Sequence, residues 1–175
     1  MNLNLAQFEN LLESSTINVI ERIKANEDLN NIIGFSLFSD SDASSVSISY
    51  NTQTFLKEKI EKDPEEDKNY FRWYPAEWKE EGVESTQIDA LSRMMYEVSK
   101  NREIPLESFR KQIFDSIVNT LISIKEKGYF NDFGKDFVLV FYATDYFVVT
   151  EEIDWINRLN SKELSSEFEN WRNKF

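Results

Sequence analysis

Apolar residues recur at helical spacing in six stretches of the chain, and polar or turn-forming segments separate them. Residues three and four apart share one face of a helix, so each stretch predicts an amphipathic helix that packs on a core. The predicted helices begin near Leu5, Thr52, Ser85, Pro105, Thr150 and Ser161. Pro105 suits the first position of a long helix, and Gly128 is placed to end it.

Four other stretches have the pattern of strands. Residues 32–38 and 45–50 flank a cluster of Ser and Asp, and the second alternates apolar with polar residues, which predicts an antiparallel hairpin. Residues 137–143 are apolar on both faces, which predicts a central strand, and a turn would lead into 146–149 as a second hairpin. The order predicts a single α+β domain over residues 1–175, with a mainly antiparallel sheet of about four strands in two hairpins, covered by several helices.

The composition excludes several kinds of chemistry. The chain has no His and no Cys, so catalysis through imidazole or a thiolate and zinc sites built on these residues are closed. An excess of 32 acidic over 20 basic residues gives a formal net charge of −12. This charge disfavours nucleic-acid binding and favours encounter with a basic protein. The N-terminus lacks the pattern of a signal peptide and no stretch is long enough to span a membrane, so we expect a cytoplasmic protein.

The most distinctive segment is Arg72-Trp73-Tyr74-Pro75-Ala76-Glu77-Trp78. Trp, Tyr and Arg are enriched at the centres of protein interfaces, and aromatic rings can also line a cleft. The same residues could instead close one end of the sheet as part of the core. The partner-binding hypothesis takes Arg72, Trp73, Tyr74, Glu77 and Trp78 as its contact residues.

Three aspartates form the only candidate metal site. Asp40 and Asp42 lie in the turn of the first hairpin, and Asp145 lies in the turn of the second. If the hairpins pack side by side, these carboxylates converge at one end of the sheet and could bind a divalent cation. Aspartate in turns also commonly accepts hydrogen bonds from its own backbone, and that structural interpretation stays open.

Several segments together resemble a bacterial family catalogued as domain of unknown function 4303. The resemblance is carried by Gly34-Phe35-Ser36-Leu37-Phe38-Ser39-Asp40, by Arg72-Trp73-Tyr74-Pro75-Ala76-Glu77-Trp78 and by Arg158-Leu159-Asn160. It covers nearly the whole chain, and its most specific part is the Trp-containing segment. The family implies no established activity, so no catalytic residue is carried over.

Three functions therefore compete at this point. The leading hypothesis is a non-catalytic protein-binding module without a cofactor, an immunity or regulatory protein that acts on a basic partner through an acidic, aromatic-anchored surface. The immunity role rests on association alone, because small acidic bacterial domains often look like immunity proteins. The alternative is a carboxylate-dependent, metal-assisted hydrolase that uses Asp40, Asp42 and Asp145. A homo-oligomeric structural protein is the third.

Overall fold

The computed structural model describes residues 4–174, which form seven α-helices and four β-strands. The helices are α1 (Leu5–Asn26), α2 (Gln53–Lys62), α3 (Lys68–Trp73), α4 (Thr86–Lys100), α5 (Leu106–Glu126), α6 (Val149–Leu159) and α7 (Lys162–Arg172). The strands are β1 (Ile32–Asp40), β2 (Ser47–Thr52), β3 (Glu80–Glu81) and β4 (Val138–Thr144). The predicted α+β class and the number of strands are confirmed.

The four strands form one mixed sheet in the order β3-β2-β1-β4. The predicted first hairpin is confirmed, because β1 and β2 pair antiparallel with Phe35 opposite Tyr50. β3 adds to β2, also antiparallel. β4 pairs with β1 in parallel, with Gly34 opposite Val138, so the sheet is not the purely antiparallel pair of hairpins that the sequence favoured.

The prediction of a central strand at 137–143 was wrong, because β4 lies at the edge of the sheet. Its residues are apolar on both sides because both faces of the sheet are covered by other elements. Leu139 and Phe141 contribute to one hydrophobic cluster, whereas Val138 and Val140 contribute to another. A continuous apolar run therefore indicates that both faces of a strand are buried. It does not show that the strand lies between two other strands.

The second predicted hairpin is also wrong, because residues 146–148 form no strand. The carbonyl of Val148 accepts hydrogen bonds from the N–H groups of Glu151 and Glu152, at 3.0 and 3.1 Å, so α6 has already begun here. Thr150, the predicted cap, lies inside the helix. Aromatic and β-branched residues favour a strand locally, but α6 already begins at Val149, and residues 146–148 only connect β4 to it.

Helices cover both faces of the sheet. One face packs on the larger hydrophobic cluster, which α1, α4 and α5 complete. The other face packs on two smaller clusters that include residues of α2, α3 and α7. α6 contributes to clusters on both sides of β4, with Trp155 on one and Ile156 on the other. No helix within residues 4–174 has the length and hydropathy required to cross a bilayer.

The predicted helix ends at Thr52, Ser85, Ser161 and Gly128 are confirmed. The hydroxyls of Thr52, Ser85 and Ser161 accept hydrogen bonds from backbone N–H groups in the first turns of α2, α4 and α7. Gly128 has a φ of 82° just after α5, a conformation that favours glycine and ends the helix.

Candidate functional site

The two indoles of the Trp-containing segment are buried in the fold. Trp73 is 1% exposed and packs against Phe168, with ring centroids 5.2 Å apart. Its Nε1–H donates to the carboxylate of Glu167 at 3.1 Å. The buried polar edge of the ring is therefore satisfied, which is the arrangement expected of a core tryptophan. In this structure Trp73 is not a surface anchor for a partner.

Trp78 is 4% exposed and lies over Gly34 of β1. A Cβ at position 34 would lie 3.0 Å from the indole ring, so only glycine leaves the space that the ring fills. The Nε1–H of Trp78 donates to the backbone carbonyl of Arg72 at 3.2 Å. Trp78 thus closes one face of the sheet, and the structural interpretation of the segment accounts for both tryptophans.

The charged members of the segment pair with residues outside it. Arg72 Nε lies 2.9 Å from Glu167, and its Nη2 donates to the backbone carbonyl of Asp136 at 3.2 Å. Glu77 forms an ion pair with Lys59 at 2.9 Å. Both side chains are only partly exposed, so they tie α3 and the turn after it to neighbouring elements.

Tyr74 is the member of the segment that faces an open surface. Its ring stacks on Tyr70, with centroids 5.1 Å apart, and meets Tyr142 of β4 at 4.6 Å. The hydroxyl of Tyr142 donates to that of Tyr74 at 2.5 Å. Burial, and then the bond to Tyr74, raise the pKa of Tyr142, so the phenol of Tyr142 stays uncharged at neutral pH.

These rings form one side of a groove of about 370 Å³, which we call the tyrosine groove. Its lining includes Glu66, Tyr70, Tyr74, Tyr146, Phe147 and Trp171. Phe147, in the turn between β4 and α6, is 75% exposed. A large aromatic side chain left in water beside an aromatic groove is typical of a binding surface.

An ion pair between α6 and α7 completes the lining of the groove. Arg172 Nε and Nη2 donate to the two carboxylate oxygens of Glu152, at 2.7 and 3.2 Å. The hydrogen bonds to Glu152 raise the pKa of Arg172. Both side chains are largely buried, so this bidentate pair fixes the two helices without adding net charge to the groove.

Tyr146 is held in place from two sides. Its ring stacks on Trp155 of α6 at 5.8 Å, and its hydroxyl donates to Glu151 at 3.0 Å. Burial, and then the bond to Glu151, raise the pKa of Tyr146 to about 12. Residues 146–148 of the predicted strand therefore form a turn that presents Tyr146 and Phe147 to the groove, and Val149 begins α6.

The three aspartates of the proposed metal site lie at one end of the sheet. Asp40 ends β1, opposite Thr144, and Asp145 follows directly on β4. The carboxylate of Asp40 accepts hydrogen bonds from the hydroxyls of Ser44 and Ser45, at 2.8 and 2.5 Å. It also accepts from the backbone N–H groups of Ser44 and Asp42. Within residues 4–174, no three His, Cys, Asp or Glu side chains are grouped as metal ligands.

The Asp40 carboxylate therefore stabilises the hairpin turn. Burial would raise the pKa of Asp40, but the hydrogen bonds from Ser45 and Ser44 and from the backbone outweigh burial and lower the pKa. The side chain of Asp42 is 65% exposed, and its carboxylate forms a loose ion pair with Arg110 at 3.6 Å. The two aspartates of the D-x-D pattern thus have different surroundings.

We expect Asp40→Asn to lower the free energy of unfolding by about 1–2 kcal/mol at neutral pH, because it removes a charged acceptor of several hydrogen bonds. A lowered folded-state pKa stabilises the fold above the unfolded pKa of about 3.9, and this contribution is lost as pH falls through the folded pKa. The difference from the wild type should therefore shrink at acidic pH. Urea unfolding of both proteins from neutral to acidic pH measures this difference in unfolding free energy, with Asp42→Asn as the matched control. An equal loss in both variants would contradict the assignment.

The comparisons with known proteins place the chain in a family. No curated protein and no solved structure matches it at the significance required. The family model described as Domain of unknown function (DUF4303) matches residues 12–161, which include all four strands and all of the Trp-containing segment. The chain therefore belongs to the DUF4303 family.

Proposed function

We propose that this protein is a non-catalytic binding module, an immunity or regulatory protein, whose tyrosine groove binds a basic partner protein. The contact residues differ from those that the sequence favoured, because Trp73 and Trp78 support the groove from inside. Tyr74 belongs to both sets. The observation that carries the proposal is the exposed ring of Phe147 beside the groove.

Leaving the ring of Phe147 in water is unfavourable, and a partner that covered the ring would remove this cost. Burying a phenylalanine side chain gains about 1.5–3 kcal/mol, and nothing within residues 4–174 covers this ring more than partly. The turn that carries it is anchored by Tyr146 and by α6, so the ring is presented from a well-supported position. A partner that buries Phe147 would gain that free energy with little cost of ordering the turn.

The charge around the groove supports a basic partner. Asp145 and Glu151 flank Phe147 along the chain, and Glu66 lines the same groove with Glu65 beside it in the sequence. The formal net charge of the whole chain is −12. An acidic surface of this kind accelerates encounter with a positively charged protein and makes the binding sensitive to salt.

Phe147→Ala is expected to weaken binding of the partner by about 10- to 30-fold, which is the effect of removing a central aromatic contact. The unfolding free energy should hardly change, because the ring is mostly in water. The partner is first obtained by affinity capture from lysate of the source cells at low and high salt. It is then purified, and its affinity for each variant is measured by calorimetry.

Tyr96→Ala is the matched control, since Tyr96 of α4 is 52% exposed and does not line the groove. Loss of binding in the Phe147 variant and in high salt, but not in the Tyr96 variant, supports the proposal. Equal affinity of the wild type and Phe147→Ala for the purified partner would overturn it. Sedimentation that shows a dimer dissociated by Phe147→Ala would instead identify a second copy of this chain as the occupant.

A further inference from the structure

The tyrosine groove has one carboxylate that forms no ion pair within residues 4–174. Glu152, one of its two carboxylates, is paired bidentately with Arg172. The other, Glu66, is exposed and accepts a hydrogen bond from the backbone N–H of Asp67 at 3.0 Å. No Lys or Arg among residues 4–174 forms an ion pair with Glu66. Burial raises the pKa of Tyr70 and of Tyr146, so these two rings add no charge at physiological pH, and Glu66 gives the groove a carboxylate that can pair with one cation.

The walls of the groove also attract cations. Tyr70, Tyr74, Tyr146, Phe147 and Trp171 line it together. The π faces of such rings carry a partial negative charge and bind ammonium or guanidinium groups, most strongly where water is partly excluded. The protein itself shows this pairing nearby, since the guanidinium of Arg110 lies 5.7 Å from the ring of Tyr146. A long side chain with an apolar stem and a cationic end therefore fits both the walls and Glu66.

We infer that the tyrosine groove binds an arginine side chain of the basic partner, with the guanidinium on the rings and paired with Glu66; this inference rests on the proposed function. Arginine is favoured over lysine because its planar group stacks on rings and offers two parallel N–H donors to one carboxylate. The volume of about 370 Å³ lies near the lower end of the range for ligand sites and leaves space beside one side chain for adjoining residues of the partner.

The probe is N-acetyl-arginine amide, added at millimolar concentrations to the isotope-labelled full chain and followed by NMR. Two comparison probes are the corresponding blocked lysine and blocked citrulline, which has the shape of arginine without its charge. We expect saturable shifts of groove resonances with arginine, weaker ones with lysine and none with citrulline. Shifts of equal size with citrulline, or no saturable shift in the groove, would overturn the inference.

Variants test whether Glu66 provides the counter-charge. Glu66→Gln keeps the size of the side chain and should weaken binding of the arginine probe by about tenfold, because the charge is lost while the rings remain. Glu97→Gln is the matched control, since Glu97 is exposed on α4 and does not line the groove. An unchanged affinity in Glu66→Gln would overturn the role of Glu66.

The outcome also separates this inference from the proposed function. Phe147→Ala could weaken binding of the purified partner while the arginine probe does not enter the groove. In that case the proposed function is supported and the inference that the groove binds arginine is wrong. If the partner binds the Phe147 variant unchanged, the proposed function falls even where the probe binds. Competition of the arginine probe with the partner, absent for citrulline, is the result expected when both hold.

Discussion

Trp73→Ala is expected to lower the free energy of unfolding by about 3–5 kcal/mol, the range measured when a large buried aromatic side chain is truncated. Trp73 is one of the largest fully buried side chains, and Phe168 and Trp171 of α7 share its hydrophobic cluster. Removing the indole leaves a cavity between the sheet and α7 and removes one N–H donor from the carboxylate of Glu167, which keeps its ion pair with Arg72. Urea unfolding followed by circular dichroism measures the loss.

Two further variants separate the causes of that loss. Trp73→Phe keeps much of the volume but loses the hydrogen bond to Glu167, so we expect a smaller loss of about 1–2 kcal/mol. Tyr96→Ala removes a half-exposed ring from α4 and should change stability little. A loss below 1 kcal/mol for Trp73→Ala would indicate that the indole is exposed in solution. The partner-binding role that the sequence favoured for Trp73 would then again be the preferred interpretation.

Residues 70–78 show why the sequence leaves the role of an aromatic cluster open. Trp, Tyr and Arg are common both at interface centres and at the margins of cores, and composition alone does not separate the two. Burial depends on what lies opposite each ring. Gly34 makes space for Trp78, and Phe168 packs on Trp73, but these residues are far away along the chain. The sequence identified the segment as conformationally special, but it does not show that two of the predicted contact residues, Trp73 and Trp78, are buried.

The groove could not be predicted because four separate parts of the chain form it. Glu66 and Tyr70 come from α3 and the loop before it, Phe147 from the turn after β4, Glu152 from α6, and Arg172 from the end of α7. No spacing pattern connects these positions. The parallel pairing of β4 with β1 decides which of them meet, and that pairing depends on long-range contacts that local patterns do not contain.

Elements with local signals were predicted well, and those without them were missed. The amphipathic helices and the first hairpin have repeating apolar positions and suitable capping residues. The six residues of α3 are too few to show a helical period, although Asp67 caps its N-terminus by accepting from Asn69 N–H at 2.9 Å. β3 has two exposed glutamates, which are poor strand formers, and it exists because β2 offers an edge.

Asn160→Ala is the second substitution with a large expected effect. Asn160 ends α6, and its side chain pairs with the free edge of β4 as a neighbouring strand would. It accepts from the N–H of Leu139 at 2.9 Å and donates to the carbonyl of Leu139 at 2.7 Å. It also donates to the carbonyl of Ile156, at the end of α6, at 3.2 Å.

Loss of these three hydrogen bonds should lower the free energy of unfolding by about 2–3 kcal/mol, because Leu139 is buried and its backbone groups would lose their partners. The matched control is Asn157→Ala, an exposed position of the same helix, which we expect to be neutral or slightly stabilising. Hydrogen exchange of the Leu139 amide should accelerate in Asn160→Ala and not in the control. Equal stability of the two variants would mean that water replaces the side chain at this edge.

Asn160→Ala should also weaken binding of the partner at the tyrosine groove. α6 carries Glu152, which holds Arg172 in the lining, and it follows directly on the turn that presents Phe147. Looser packing of α6 on β4 would therefore displace Phe147 and weaken binding of the partner without removing any contact residue. A variant that loses stability but keeps full affinity would show that the position of Phe147 does not depend on this edge of the sheet.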